Sequence, residues 1–566
     1  MQQYMLVPQQ GSEPADEWVK LGIEAQMNNR LPDADRHYRQ ALRIDPRHLI
    51  ATHNHAILFA SQGNLNEGLL TMERAMIFDE DYAAVYMNYA LMCIEAGRID
   101  AAIEAAERSV ILGDKDKGPL GKVHPRIVLA MVYGSAGRSE EGVKIYNEAL
   151  DEDPKQVQAG INSCFAQTLT FATPKDLLQQ RKRYADAIKF TGTFKRPKMN
   201  TNWPRPLRVG YVGGDFKQHS AAMIFSNVLF NHNREKVTPY YYSSLPVNPD
   251  ADPYTKKFMD LAEDRWRDIQ SKSDDEAADM IREDKIDILV DLAAHTSGGR
   301  LPLFIRRPAP IQVTAWGFAH GTGLPEIDYF FADPVSVPAE DRQYFAEKIY
   351  DLPSLVTYSP PEYKFKESTT LPYALNGFIT FGSSARYEKI SEDCLQVFSE
   401  ILRQVPDAVL RLKDSAYGRP YSIRRVLSLM QEIDPKRIHF LIGTSHEEHM
   451  QAYRNSDLQL DPFPHGGGVV ALEQLYMGLP IITLYGTQPA GRNTSSVLTA
   501  MGRGEWIAKS KEEYIEKAVA LANDFKTLRE ARKTLRNELM DSPVVKDYAG
   551  AVEAAYQDIW EQDVLK

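Results

Sequence analysis

The sequence predicts an all-α repeat superhelix followed by two α/β lobes, each built on a parallel, doubly wound sheet. Three observations predict it. An internal period of 34 residues runs through the first part of the chain. Short β-rich runs alternate with helical patterns in two later stretches, as they do where strands are parallel. Between Leu458 and Leu479 the chain reads LQLDPFPHGGGVVALEQLYMGL: a strand, a Pro-rich bend, three glycines and a helix. On these marks the chain divides into a tail (1–14), repeats (15–155), capping helices and linker (156–205), a first lobe (206–372), a second lobe (373–545) and a terminal helix (546–566).

The repeat marks are Asn29, Gly63, Gly97 and Gly137, at steps of 34, 34 and 40. The last step is one period with an insertion, placed in the polar segment Gly113 to Lys122. Around the marks stand Trp18, Leu21 and Gly22, then Ala34, Tyr38, Ala41 and Pro46; the fourth unit repeats this as Gly142, Tyr146, Ala149 and Pro154. Met72 and Ala106 replace the aromatic in the middle units, which lack the proline. The pattern resembles the tetratricopeptide repeat, whose stacked helix pairs form a concave face that holds peptide. A purely structural solenoid is the other reading. Residues from Gln156 to Ala187 continue as a helix pair, and Thr193 to Pro206 form a linker.

The first lobe begins with the strand Leu207–Val212, with further strands expected at 237–242, 286–290, 311–316 and 329–331. The second begins at Gly377–Gly382, with strands at 409–412, 438–442, 458–460 and 481–484 and helices between them. Functional side chains in such sheets gather beyond the carboxyl ends of the strands. Asp215 and His219 follow the first strand and His295 follows the Ile286–Leu292 strand, so the three are expected on one cleft wall. Helix capping is the competing role for Asp215. The glycines Gly466, Gly467 and Gly468 either seat a nucleotide-sugar diphosphate on free N–H groups or only permit tight packing. Glu473 is expected near the first turn of the helix, positioned to accept from a sugar hydroxyl. Ser445 and Glu448 read as a capping box.

Composition bounds the function. Net charge is −11, against a nucleic-acid binder with a basic face. No long apolar run or basic-then-apolar start suggests a membrane span or leader. Three scattered cysteines (Cys93, Cys164, Cys394) fit a cytoplasmic, reducing location and make no metal-ligand spacing. No carboxylate pair in a strand-end loop suggests a Mg²⁺ clamp, and a helix terminus with a lysine can neutralise a diphosphate instead.

Taken in order, the pieces Val209-Gly210-Tyr211-Val212-x2-Asp215-Phe216-x2-His219-Ser220, Val290-Asp291-Leu292-x2-His295-Thr296 and Arg307-Pro308-Ala309-Pro310-Ile311-Gln312-Val313-Thr314-x-Trp316-Gly317 are similar to one family. So are Thr380-Phe381-Gly382-Ser383-x5-Lys389-Ile390, Asp457-x3-Asp461 and Glu473-x2-Tyr476-Met477-Gly478-x-Pro480. The family is that of the tetratricopeptide-containing protein O-glycosyltransferases, the O-GlcNAc transferases and the plant SPINDLY type, and the likeness spans the whole chain. It implies the two-lobed GT-B plan and inverting, metal-independent transfer of a sugar to Ser or Thr of proteins bound along the repeats. It implies no cofactor beyond the nucleotide-sugar substrate. Lys389 is implied to stabilise the leaving phosphate, His219 to bond the sugar or the incoming hydroxyl, and His295 to lie on the acceptor side. Thr444, His446 and His449 fall on the nucleotide-binding stretch, His449 against the base and His446 where the family has a lysine. Glu473 falls on the ribose position. Gly468, Val469 and Val470 stand where animal members carry His-Thr-Thr, so N–H groups, or Arg492 from the next strand-end loop, would hold the diphosphate. UDP-GlcNAc is the expected donor. GDP-fucose, as in a SPINDLY-like fucosyltransferase, and a non-catalytic peptide-binding scaffold remain the alternatives.

Overall fold

The computed structural model describes residues 4–9, 11, 13–115, 122–190, 194–363 and 370–564. Residues 116–121 of the expected insertion, Thr193 of the expected linker and 364–369 between the lobes lie outside the described residues. The chain divides into two compact units, residues 1–159 with 418–425, and residues 160–417 with 426–566.

In the first unit four helix pairs follow one another: α1 (Pro14–Met27) with α2 (Leu31–Ile44), α3 (Leu49–Ser61) with α4 (Leu65–Phe78), α5 (Ala83–Glu95) with α6 (Ile99–Lys115), and α7 (Val123–Ser135) with α8 (Ser139–Glu152). The periodic marks acquire a physical reason. Asn29, Gly63, Gly97 and Gly137 have φ of +56°, +82°, +73° and +74°, the left-handed residue that ends the first helix of each pair. The residue after each mark closes the same turn: Arg30, Asn64, Arg98 and Arg138 donate to the carbonyls of Ala25, Phe59, Cys93 and Tyr133. Where the helices of a pair cross, side chains must be small. A Cβ on Gly22 would stand 2.5 Å from the Tyr38 ring, and one on Gly142 3.0 Å from the Ala130 carbonyl. Met72 and Ala106, which replace the aromatic, are fully buried all the same.

The second unit holds α9 (Val157–Gln167) from Gly160 onward, α10 (Pro174–Ala187) and two parallel sheets. The first sheet comprises β1 (Leu207–Gly213), β2 (Val237–Ser243), β3 (Trp266–Asp268), β4 (Ile288–Asp291), β5 (Ile311–Thr314), β6 (Tyr329–Ala332) and β7 (Lys348–Asp351) in the order β3-β2-β1-β4-β5-β6-β7. Its helices are α11 (Ser220–Leu229), α12 (Pro253–Ala262), α13 (Asp274–Glu283) and α14 (Leu301–Ile305). The central strands are buried throughout, as strands covered on both faces must be. The edge strands β3 and β7 (WRD, KIYD) are largely polar and half-exposed, which is why no apolar run marked them.

After α15 (Pro372–Asn376), the second sheet comprises β8 (Thr380–Ser383), β9 (Val409–Lys413), β10 (Ile438–Leu441), β11 (Leu458–Leu460), β12 (Ile481–Leu484) and β13 (Ile507–Ala508), in the order β10-β9-β8-β11-β12-β13. Its helices are α16 (Glu392–Gln404), α17 (Pro420–Leu429) from Val426 onward, α18 (His446–Ala452), α19 (Val469–Tyr476), α20 (Pro489–Ala500), α21 (Lys511–Ala522) and α22 (Phe525–Asp541). In each sheet the strand order reverses once, between β1 and β4 and between β8 and β11. A crevice opens at that switch because neighbouring crossovers leave on opposite faces.

Two devices join the lobes. Helix α20 buries a polar row: Ser496 donates to Asp333 at 2.9 Å, and Arg492 Nη1 to Asp341 at 2.6 Å. The last helix, α23 (Tyr548–Val564), returns to the first lobe. Tyr556 meets Tyr211 at 3.2 Å, Glu553 accepts from the Asn233 N–H at 2.7 Å, and Tyr548 donates to the Ser354 carbonyl at 2.7 Å.

Gly478 tests the second lobe. It ends α19 at φ +78°, and a Cβ there would sit 2.8 Å from the Arg532 carbonyl. Gly478→Ala is expected to cost about 1–3 kcal/mol, read as a lower urea midpoint at unchanged slope.

Candidate functional site

The second sheet's switch point brings together the β8 exit and the β11 exit. After β8 the chain makes one tight turn, Tyr387–Lys389, then pairs Ile390 with Pro464. Ser391, which caps α16, donates its hydroxyl to the Phe463 carbonyl at 2.8 Å. Lys389 is thereby stitched to the loop after β11, and its ammonium donates to the Gly466 carbonyl at 3.1 Å. Burial and the nearby Arg386 guanidinium push its pKa down to about 7, against the opposing pull of Asp461.

Asp461, the buried residue just after β11, shapes the glycine loop. Its Oδ1 accepts from the Gly467 N–H at 2.8 Å and its Oδ2 from the Thr483 hydroxyl at 2.8 Å. A Cβ on Gly466 or Gly467 would stand 3.0 Å from this carboxylate. The Gly466 N–H is also committed, to the Ala490 carbonyl at 3.0 Å. The expectation that all three glycines offer N–H groups to an anion is therefore corrected. Among the described residues the open donors are the N–H groups of Gly468, Val469 and Val470 at the start of α19, where Gly468 and Val470 are partly exposed.

Arg492 is corrected too. It lies inside α20 rather than in a strand-end loop, and its guanidinium is used up. It donates to the carbonyls of Gly486 (2.7 Å), Thr487 (2.9 Å) and Ser336 (3.1 Å) as well as to Asp341. That set clamps lobe to lobe and leaves no fork for a phosphate.

Glu473 sits one turn deeper than expected and is buried. His446 donates from Nε2 to its Oε1 at 2.7 Å, while the Tyr453 hydroxyl donates to its Oε2 at 3.2 Å. Burial would raise this carboxyl, yet the bonds from His446 and His449 outweigh burial and hold it below its ordinary value. His449 belongs to a relay. The Lys413 ammonium donates to its Nδ1 at 2.9 Å, which leaves the proton on Nε2, 2.8 Å from the Tyr453 hydroxyl. Lys413 also donates to Thr444 Oγ1 at 3.2 Å. His446 is thus turned toward the carboxylate and bonded to Tyr363 through Nδ1, rather than replacing a phosphate-binding lysine. The expected capping box is present: Ser445 accepts from the Glu448 N–H, and Glu448 accepts from that of Ser445. Lys413 escaped the sequence reading, although it is the last residue of β9.

In the first lobe Asp215 and His219 stand together, His219 Nδ1 lying 3.4 Å from Asp215 Oδ2. His219, not Asp215, caps α11: its Nδ1 accepts from the Ala221 N–H at 3.2 Å. The nitrogen lone pair a base would use is therefore occupied, and the half-exposed ring presents Nε2–H as a donor. His295 does not share that wall. It is buried between Tyr184 and Phe318, its Nε2 3.1 Å from the Thr322 carbonyl, and burial lowers its pKa to about 3. Asp291 accounts for this by drawing in the N–H groups of Ala293 and Ala294, which turns the chain inward. Among the described residues no group of three or more His, Cys, Asp or Glu side chains is arranged to hold a metal ion, and no helix is long and apolar enough to cross a membrane.

A family model described as glycosyl transferase family 41 matches residues 187–358 and 367–552. The chain belongs to this family. A tetratricopeptide-repeat model matches residues 125–156. Among family 41 relatives, the chain is 35% identical to a protein of Oryza sativa subsp. japonica named "Probable UDP-N-acetylglucosamine--peptide N-acetylglucosaminyltransferase SPINDLY", over 74% of this chain and 46% of that one. It is 31% identical to the Arabidopsis thaliana protein of the same description named SEC, over 66% of this chain and 38% of the relative. The chain thus spans under half the length of these relatives. The solved structure of a Thermobaculum terrenum O-GlcNAc transferase mutant superposes with a TM-score of 0.78 at 26% identity, covering 97% of this family 41 chain and 98% of its own. Helical repeats followed by two parallel sheets, the GT-B arrangement, are common to both.

Lys389 gives the site a pH dependence. A nucleotide sugar stays ionised at its diphosphate from about pH 6 to pH 9, and only the protonated lysine attracts it. Affinity is expected to be level below about pH 6 and to fall above 7, approaching tenfold per pH unit until the bound-state pKa is reached. Calorimetry across that range should show the fall in the unmodified chain and a flat, weaker profile in Lys389→Ala.

Proposed function

We propose that this chain is an inverting protein O-glycosyltransferase that moves GlcNAc from UDP-GlcNAc to Ser or Thr hydroxyls of proteins without a metal ion. The observation that carries the reading is the Lys389 ammonium, held against the Gly466 carbonyl beside three open N–H groups of α19. A diphosphate seated there meets a helix N-terminus and one mobile proton donor. As the bond from the sugar's anomeric carbon to the phosphate oxygen breaks, negative charge grows on that oxygen. The ammonium and amide dipoles stabilise it more than they stabilise the ground state. The acceptor hydroxyl adds from the opposite face of the sugar and passes its proton to a phosphate oxygen of the donor or to water, which gives inversion. With its lone pair used in capping α11, His219 serves as a donor that orients sugar or acceptor, beside Asp215.

The partly buried Glu473–His446 and Lys413–His449 pairs form a polar wall suited to a nucleoside, Thr444 included. The repeats supply a surface for protein substrates. His295 supports the acceptor side only by bracing the Thr322 loop. A reducing, cytoplasmic location belongs to the same reading, supported by three free, buried cysteines. The relatives' names support UDP-GlcNAc as donor.

Lys389→Ala is expected to lower sugar transfer to a protein acceptor at least about a hundredfold with the circular dichroism spectrum unchanged, and a chelator is expected to leave transfer unaffected. Calorimetric titration with UDP, GDP, UDP-GlcNAc and GDP-fucose decides the donor. Selective binding of the uridine pair supports the proposal, selective binding of the guanosine pair turns it to fucosyl transfer, and binding of none of them leaves a peptide-binding scaffold.

A further inference from the structure

The concave helices of the repeats already hold a peptide, and it is the chain's own. Met5 and Val7 lie against α3 and α5, each bound through both of its main-chain groups by one asparagine. Asn88 accepts from the Met5 N–H at 3.0 Å and donates to the Met5 carbonyl at 3.0 Å. Asn54 does the same for Val7, at 3.0 and 2.9 Å. The asparagines occupy the same place in successive repeats, each the sixth residue of its helix and 34 residues apart. Their targets are two residues apart, the period at which an extended chain turns the same edge to one side. One period earlier stands Lys20, whose ammonium donates to the Gly11 carbonyl at 2.6 Å. Three repeats in register therefore read main chain.

The amides are oriented from behind. His53, fully buried, places Nδ1 3.1 Å from Asn54 Oδ1 and Nε2 3.0 Å from Asn88 Nδ2. Only the neutral ring with its proton on Nδ1 satisfies both contacts, and burial lowers its pKa to about 4, so this form persists at neutral pH. With Asn54 Oδ1 accepting from His53, its Nδ2 must face the Val7 carbonyl. With Asn88 Nδ2 donating to His53, its Oδ1 is left for the Met5 N–H. Side chains add fit: Val7 is buried, Met5 and Leu6 pack on the repeat core, and the Tyr4 hydroxyl donates to Glu95.

We propose that residues 4–9 are the built-in occupant of the α3–α5 groove, a segment that an incoming polypeptide must displace. Because the contacts run through N–H and C=O groups, the competing peptide needs an extended backbone without proline at the bonded positions, and little particular sequence. This inference stands on the first unit alone and does not rest on the transferase reading.

The test uses the full chain and a fluorescein-labelled peptide of sequence Tyr-Met-Leu-Val-Pro-Gln as probe. Val7→Asp should unseat the segment, because it replaces a buried valine with a charge. The V7D chain is expected to bind the probe at least about tenfold more tightly than the unmodified chain by fluorescence anisotropy. Adding N54A and N88A to V7D should abolish that gain. Equal affinity of the two chains, or indifference to the asparagines, overturns the proposal. Hydrogen exchange on the unmodified chain gives a reading that needs no variant. The Met5 and Val7 amides are expected to exchange well below the rate of a free peptide, and exchange at the free rate overturns the proposal. Either failure leaves the nucleotide-sugar titrations untouched.

Discussion

The geometry of the second lobe's site hangs on one buried carboxylate. Asp461 leaves β11 and at once accepts from the Gly467 N–H and the Thr483 hydroxyl, so the glycine run is folded around an acid. Burial pushes this carboxyl up, away from the charged form, while its bonds and the Lys389 charge pull the other way. Lys389 feels the converse, an ammonium pushed toward neutrality by the same dry surroundings. Acid and base thus stabilise each other's charge, and the loop between them keeps its shape. What remains open among the described residues is a row of three amides at the start of α19, near Lys389, a cation whose protonation an arriving anion would favour.

The same economy recurs across the two lobes. Each sheet has its switch in strand order beside its first strand, and each first strand ends in the loop that carries a site residue: His219 after β1, Lys389 after β8. Helix α20 explains how two independent sheets keep these loops in register. Its Arg492, Thr494 and Ser496 are polar yet buried, and each finds a partner: Asp341 and Asp333 of the first lobe's 333–341 loop for Arg492 and Ser496, and the Gly467 carbonyl for Thr494. A side chain that looks like a phosphate ligand in sequence is here a structural bracket.

Much of this was legible in the chain itself. The 34-residue period, the central strands and the glycine loop carry strong local signals, and the structure adds the reason for the period: a left-handed residue after each first helix. The central strands were readable because they are rich in apolar and β-branched residues, whereas the edge strands β3 and β7, short and largely polar, gave no such signal. Side-chain roles were less legible because they depend on partners far away in sequence. Nothing local shows that His219 would spend its nitrogen on capping α11, that Asp291 would turn His295 inward, or that the Gly466 and Gly467 amides would be consumed within the loop. Lys413 illustrates the reverse, a residue at a strand end whose importance appears only once His449 is seen beside it.

The returning helix α23 also sets an order of events. Tyr211 lies in the first strand of the first lobe, and its hydroxyl meets Tyr556, 345 residues later in the chain. Glu553 likewise waits to receive the Asn233 amide. A ribosome therefore releases β1 and its neighbours long before their outer face can be covered, and the second lobe is complete before the first one is closed. The first lobe is therefore closed only when α23 emerges, after every described strand of the second sheet has been made.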